Sequence, residues 1–108
     1  MAIEDVSPSK ALELIASRTG MVVLDVRERA DFAEGHIQGA TSVPLTDLQA
    51  RIFDLDPDRP TLVYCYSGNT SQGACSLLEV NGFAKIYHLH GGFDAWLREG
   101  LPVSKFGR

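Results

Sequence analysis

Residues 61–80 read TLVYCYSGNTSQGACSLLEV, in which an apolar run, a small polar loop and a helical pattern follow one another directly. The run at residues 61–65 is short and almost wholly apolar, as is typical of a strand buried on both faces. Apolar side chains then recur at helical spacing from about residue 70 to residue 80, and Gly82 is placed to end that helix. We therefore predict a strand, a loop and a helix, with Cys65 at the end of the strand.

The same alternation of strands and helices continues in both directions along the chain. We predict further strands at residues 21–26 and 85–89, and helices at residues 11–16, 29–34, 48–53 and 93–98. Ser7 followed by Pro8 is typical of a helix start, and Thr46 is a candidate cap for the helix at residues 48–53. Strands that alternate with helices favour an α/β fold with a parallel sheet, here one domain over residues 1–108.

Composition and charge exclude several classes of protein. The chain has 108 residues, of which 44% are hydrophobic and 22% are charged, as in an ordinary folded domain. Fourteen acidic residues against ten Lys and Arg give a net charge of -4, so we expect no nucleic-acid partner. The absence of a leader pattern and of an apolar run of roughly 20 residues predicts a cytoplasmic protein with no membrane partner.

Cys65 is the candidate nucleophile. The carboxyl ends of parallel strands form the usual ligand-binding edge of such a sheet. Gly68 and Asn69 tolerate a turn that points backbone N–H groups inward, and Thr70 or Ser71 can cap the following helix. These groups favour a thiolate, the reactive form of cysteine, although a buried and inert cysteine would also end a strand in this way.

The other cysteine and the histidines carry less information. Cys75 falls mid-helix among apolar residues, which favours packing; neither cysteine belongs to a C-x-x-C pair, and free thiols suit a reducing compartment. His36 lies in a turn, whereas His88 and His90 share one face of a strand. The pattern supplies no third ligand for these two histidines, so we predict no metal site and no cofactor.

Three segments resemble the rhodanese family in order along nearly the whole chain. LDVRERADFAEGHIQGA (residues 24–40) is similar to the first signature of that family. CYSGNTS (residues 65–71) resembles its active-site loop, and GGFDAWLREGLPV (residues 91–103) resembles its closing signature. The resemblance implies a single rhodanese-like domain with a central parallel five-stranded sheet flanked by helices on both faces.

The resemblance also implies a thiosulfate sulfurtransferase that works through a persulfide on Cys65. Thiosulfate would be the sulfur donor, and cyanide or a thiol such as thioredoxin would be the acceptor. The loop that holds the persulfide and the anion would consist of Tyr66, Ser67, Gly68, Asn69, Thr70 and Ser71.

Thr70 departs from the common family pattern, in which many members have arginine at this position. The sequence contains no arginine between Arg59 and Arg98, so the loop itself supplies no side-chain cation for a dianionic substrate. Arg27 and Arg29 follow a strand that ends at the same edge of the sheet, and they are candidate anion contacts. Arg27 is also placed to bind a carboxylate within the fold.

Two other functions remain open at this stage. A persulfide carrier or a sulfur-sensing module would use the same cysteine with a protein thiol as its partner. A cysteine phosphatase or arsenate reductase is disfavoured, because phosphoryl transfer needs a strong cation near the transferred group and residues 66–72 lack the arginine of the C-x5-R motif.

Overall fold

The computed structural model describes residues 3–17 and 20–105, so the predicted domain limits at residues 1 and 108 lie outside the described residues. Strands and helices alternate along the chain, and a 3-10 turn follows the third helix. The elements are β1 (Ile3–Val6), α1 (Pro8–Ser17), β2 (Val22–Asp25), α2 (Arg29–Glu34), β3 (His36–Ile37), β4 (Thr41–Ser42), α3 (Leu45–Arg51), the turn Ile52–Asp54, β5 (Thr61–Tyr64), α4 (Ser71–Val80), β6 (Ile86–Leu89), α5 (Gly92–Arg98) and β7 (Val103–Ser104).

The central sheet has five strands in the order β1-β6-β5-β2-β4, and all of its neighbouring strands run parallel. Strand β5 lies in the middle of the sheet. Its Val63 is in register with Leu24 of β2 and with His88 of β6. A separate antiparallel pair joins β3 to β7. The predicted α/β class with a central parallel five-stranded sheet is confirmed.

The core lies on both faces of this sheet. Alternate side chains of β5 point to opposite faces, so Leu62 and Tyr64 pack with α1 and α5, whereas Val63 packs with α3 and α4. Trp96 of α5 is buried in the first of these two layers. Because both faces of β5 are covered, the strand reads as a continuous apolar run rather than an alternating one.

The local predictions differ from the structure mainly at element ends. The predicted cap at Thr46 is wrong, because α3 already begins at Leu45 and Pro44 occupies the cap position with φ of -52°. The predicted cap at Ser7 is confirmed, since the N–H of Lys10 donates to its hydroxyl over 3.2 Å.

Strands β1 and β4 form the two edges of the sheet, and the strand predictions did not include them. Only Val6 of β1 is buried, and β4 has two residues, so neither carries the apolar run by which buried strands are predicted.

None of the helices within residues 3–17 and 20–105 is both long enough and apolar enough to cross a bilayer.

Candidate active site

The candidate site is the turn between β5 and α4. Cys65 follows the last residue of β5 and is 3% exposed, and Gly68 turns the chain with φ of +97°. The N–H of Gly68 donates to the Cys65 Sγ over 3.1 Å, and the N–H of Ser71 donates to the same sulfur over 3.2 Å. The turn therefore directs two backbone donors at one buried sulfur atom.

These donors favour the thiolate form of Cys65. Burial raises the pKa of the thiol, but the hydroxyl and N–H of Ser71, followed by the N–H groups of Gly68 and Ser67, outweigh that effect and hold the pKa below its usual value. Hydrogen bonds to the charged form are the cause, because they stabilise the anion and not the neutral thiol. The arrangement can hold a sulfur anion at the start of α4.

Capping of α4 differs from the prediction. The helix begins at Ser71, and within the described residues the Thr70 side chain makes no capping hydrogen bond. The Ser71 hydroxyl instead bonds to the Nε2 of His88 over 2.6 Å. Both predicted caps are therefore wrong: Thr70 already has helical backbone angles and makes no side-chain cap bond, and the Ser71 hydroxyl is bonded to His88 instead.

Helix α5 is hydrogen-bonded to the backbone of the turn. The N–H of Phe93 donates to the Cys65 carbonyl, and that of Asp94 donates to the Tyr66 carbonyl, each over 2.9 Å. Gly91 and Gly92 before these residues have φ of +75° and +63°. The paired glycines thus bring the first N–H groups of α5 within hydrogen-bonding distance of the carbonyl groups of the turn.

The remaining loop residues lie at the rim of the site. The side chains of Tyr66, Ser67, Asn69 and Thr70 belong to exposed residues, in contrast with the buried Gly68. The Tyr66 hydroxyl donates to the Asp94 carboxylate over 3.3 Å. A ligand at the sulfur would therefore meet mostly backbone groups, with polar side chains around it.

Arg27 and Arg29 are both engaged by carboxylates. The Arg27 guanidinium binds the fully buried Asp25 at 2.7 Å and donates to the Gly35 carbonyl, also over 2.7 Å, so its predicted tie to a carboxylate of the fold is confirmed. Arg29 lies in the open and binds Asp47 at 3.0 Å. Their predicted role as anion contacts stays a prediction.

Sequence reasoning missed the partners of His88. Its Nε2 faces the Ser71 hydroxyl, and its Nδ1 lies 2.8 Å from Oδ1 of Asp5 on β1. His90, predicted on the same face, belongs to the exposed residues. The signal was present in the sequence as a histidine at the centre of an apolar strand, where a buried polar group requires partners.

The other two side chains considered from the sequence, Cys75 and His36, are buried. Cys75 is 2% exposed in the layer with α3 and α4, and burial, followed by the nearby Asp5, Cys65 and Glu79, raises its pKa to about 12. His36 stacks on Phe32 with ring centroids 3.7 Å apart, and its Nδ1 lies 2.8 Å from the Phe32 carbonyl oxygen. Both side chains pack within the fold.

Comparison with known proteins gives consistent relatives. A family model described as the rhodanese-like domain matches residues 7–99. The thiosulfate sulfurtransferase GlpE of Pseudomonas entomophila is 44% identical over 91 residues, which is 84% of this chain and 82% of that protein. A sulfurtransferase of Allochromatium vinosum is 30% identical over 101 residues, which is 94% of each chain. The crystal structure of a rhodanese-related protein from Thermoplasma volcanium matches with a TM-score of 0.85 at 30% identity, covering 94% of this chain and 97% of that one.

Proposed function

The chain belongs to the rhodanese-like domain family, and we propose that it is a thiosulfate sulfurtransferase that carries sulfur as a persulfide on Cys65. The observation that carries the proposal is the pair of N–H groups, from Gly68 and Ser71, that donate to the buried Cys65 sulfur. The same donors can stabilise either a thiolate or the outer sulfur of a persulfide anion. The names of the relatives support the choice of thiosulfate as donor.

In the first half-reaction the Cys65 thiolate attacks the outer sulfur of thiosulfate. A new S–S bond forms to Cys65, the S–S bond of thiosulfate breaks, and its electron pair leaves with sulfite. The charge is conserved, because the Cys65 thiolate and the thiosulfate dianion give the Cys65 persulfide anion and the sulfite dianion. The loop N–H groups from Tyr66 to Ser71 are proposed to hold the transferred sulfur.

In the second half-reaction a thiophilic acceptor, either cyanide or a thiolate, attacks the outer sulfur of the persulfide. The acceptor gains that sulfur, and the bond to Cys65 breaks with its electron pair returning to Cys65. A thiol with a low pKa is the better leaving group in such an exchange, so the depressed pKa of Cys65 serves this step as well. With cyanide as acceptor the product is thiocyanate.

A persulfide carrier that passes sulfur to a protein thiol is the second candidate. The observation in its favour is the exposed Thr70, which leaves the loop without a side-chain cation for a small dianion. A carrier would load sulfur at Cys65 but turn over poorly with thiosulfate and cyanide. The cytoplasmic location and the thioredoxin-type acceptor stay predictions from the sequence.

The test is intact-protein mass spectrometry after incubation with thiosulfate. We expect the mass of a single sulfur atom to be added, to map to the peptide that contains Cys65, and to be removed by cyanide as thiocyanate. Cys65→Ser should take up no sulfur, whereas the matched variant Cys75→Ala should load normally. Sulfur on Cys75, or a wild-type protein that gains no mass from thiosulfate, would overturn the proposal.

A further inference from the structure

A cavity of about 420 Å³ adjoins the turn after Cys65, and residues of α2, α5 and β7 contribute to its lining. Tyr66, which directly follows Cys65, is part of that lining. So is Phe93, the residue of α5 whose N–H donates to the Cys65 carbonyl over 2.9 Å. A volume of this size suits a small organic molecule. The cavity therefore offers a reactant a place next to the cysteine that is proposed to carry sulfur.

Exposed apolar side chains are concentrated at this cavity. Tyr66, Leu97 and Val103 line it, and they are 55%, 46% and 38% exposed. In the described part of the chain two other large apolar side chains are exposed, Phe53 and Val80, and neither lines the cavity. Single exposed apolar residues are common on protein surfaces, but a group of them around one opening is typical of a ligand-binding site. The lining therefore favours a ligand with an apolar part.

The charges around the cavity favour an uncharged ligand over an anion. Asp31 and Glu34 of α2 line it together with Lys105, so the acidic groups outnumber this lysine. Arg27 also lines the cavity, but its guanidinium binds the fully buried Asp25 at 2.7 Å, which balances its charge. The net charge of these side chains is negative, so a dianion such as thiosulfate is repelled. The lining therefore suits an uncharged sulfur acceptor better than the sulfur donor.

We propose that this cavity is the acceptor site, and that it binds thiols with an uncharged, apolar chain. The proposal rests on the proposed sulfurtransferase function, since the acceptor attacks a persulfide on Cys65. An S–S bond forms between the thiol sulfur and the outer sulfur of the persulfide anion. The bond from that outer sulfur to Cys65 breaks, and its electron pair returns to Cys65 as the thiolate. The proton of the thiol ends on the terminal sulfur of the new alkyl hydropersulfide, so atoms and charge balance.

The test uses protein loaded with sulfur at Cys65 and follows the loss of that sulfur atom by intact mass after mixing with excess thiol. Ethanethiol, propanethiol and butanethiol have nearly the same thiol acidity, so differences among their rates report burial of the chain. We expect the second-order rate constant to rise about threefold with each added methylene, as for a chain that is mostly buried. Mercaptopropanol matches butanethiol in heavy atoms but ends in a hydroxyl, and it should react about fivefold more slowly than butanethiol.

Substitutions at the cavity should weaken this dependence on chain length. Leu97→Gln keeps a good helix former at an exposed position of α5 but replaces an apolar contact with a polar one. We expect the rise per methylene to fall from about threefold to less than about 1.5-fold in this variant. Val103→Thr, a change of nearly equal volume, should act in the same direction. The matched control is Val80→Gln, at an exposed apolar residue outside the cavity, which should keep the dependence of the wild type.

Cyanide provides the reference rate, because it removes the sulfur but has no chain to bury. Each thiol rate is divided by the cyanide rate of the same variant, so a general effect on Cys65 cancels. Equal normalised rates for the three alkyl thiols would overturn the proposal and favour a protein thiol as the acceptor. The same loss of chain-length dependence in Leu97→Gln and Val80→Gln would also overturn it, because the effect would then not arise in the cavity.

Binding of butanol separates this inference from the proposed function, because butanol has the apolar chain but no thiol. Titration of the wild-type protein with butanol, followed by NMR, should shift the methyl signals of Leu97 and Val103 saturably and leave those of Val80 nearly unchanged. The absence of such shifts would contradict the cavity as a site for apolar chains, whatever the activity of the protein. A protein that shows these shifts but takes up no sulfur from thiosulfate would lose its proposed function, and with it the role of the cavity as acceptor site.

Discussion

Gly92 lies directly against the carbonyl group of Cys65. A Cβ placed on Gly92 would stand 2.6 Å from the Cys65 oxygen and 2.5 Å from the Tyr66 oxygen, both of them backbone atoms. This close approach allows the next residue, Phe93, to donate its N–H to Cys65. The position of the turn after Cys65 relative to α5 therefore depends on a residue without a side chain.

We expect Gly92→Ala to displace the turn and to reduce sulfur transfer at least about tenfold, since a shift near 1 Å in a catalytic group is costly. The matched control is Gly100→Ala, because Gly100 has φ of +68°, close to the +63° of Gly92, but open space where its Cβ would lie. The control should show only the strain of a positive φ, roughly 1 kcal/mol of unfolding free energy. Initial rates and urea unfolding of both variants test this, and equal effects at the two glycines would contradict it.

The Cys65 thiol should ionise at a lower pH than a free cysteine. Burial raises its pKa, but the hydrogen bonds from Ser71, Gly68 and Ser67 lower it to below the usual value. A lower pKa moves the rise in thiolate to lower pH, so the midpoint for iodoacetamide alkylation should fall below ~8.5, the free-cysteine value. Cys75, with its pKa raised to about 12, should stay unmodified at the same pH. A Cys65 midpoint at or above ~8.5 would contradict the role of the loop donors.

Thr70→Arg should improve the capture of thiosulfate. Thr70 is exposed at the rim of the site, where a guanidinium could bind two oxygens of the anion. We expect KM for thiosulfate to fall about tenfold, or roughly 1.4 kcal/mol, with kcat changed little because the cation contacts the substrate before and during transfer alike. The effect should shrink at high salt.

Steady-state rates at low and high ionic strength provide this measurement, with Thr70→Gln as the uncharged control of similar reach. The control should keep the KM of the wild type. A folded Thr70→Arg protein with an unchanged or higher KM would mean that the anion is bound elsewhere or that thiosulfate is not the natural donor.

Asp25→Asn should destabilise the fold far more than Asp47→Asn. Both carboxylates bind an arginine, but the Asp25–Arg27 pair is 0% and 8% exposed, whereas the Asp47–Arg29 pair is 43% and 61% exposed. Loss of one partner from a buried pair leaves an uncompensated charge and costs about 3 kcal/mol or more. Loss of an exposed pair costs at most about 1 kcal/mol. Urea unfolding of the two variants measures the difference, and similar losses would show that Arg27 has other compensation.

Local sequence was sufficient for the central elements. The apolar runs at β2, β5 and β6 and the helical pattern of α2 and α4 predicted those elements to within two residues at each end. The edge strands were not predicted from the sequence. Strand β1 reads IEDV, with two acidic residues, and it is held in the sheet by pairing with β6, for example Ile3 with Ile86. An edge strand needs no continuous apolar run, since one side of it faces solvent.

The candidate site likewise has features that local sequence determines and features that only tertiary contacts determine. Cys65 at a strand end, followed by Gly68 and a helix start, is a local pattern, because strand, turn and helix preferences depend on residues close in sequence. The partners of the Ser71 hydroxyl and of His88 are not local: these bonds join residues 17 and 83 positions apart. Which polar groups meet across such separations depends on the register of β1 against β6 and on the packing of α4 against the sheet. Only the folded chain sets that register, because each strand finds its position through burial and pairing with all of its neighbours.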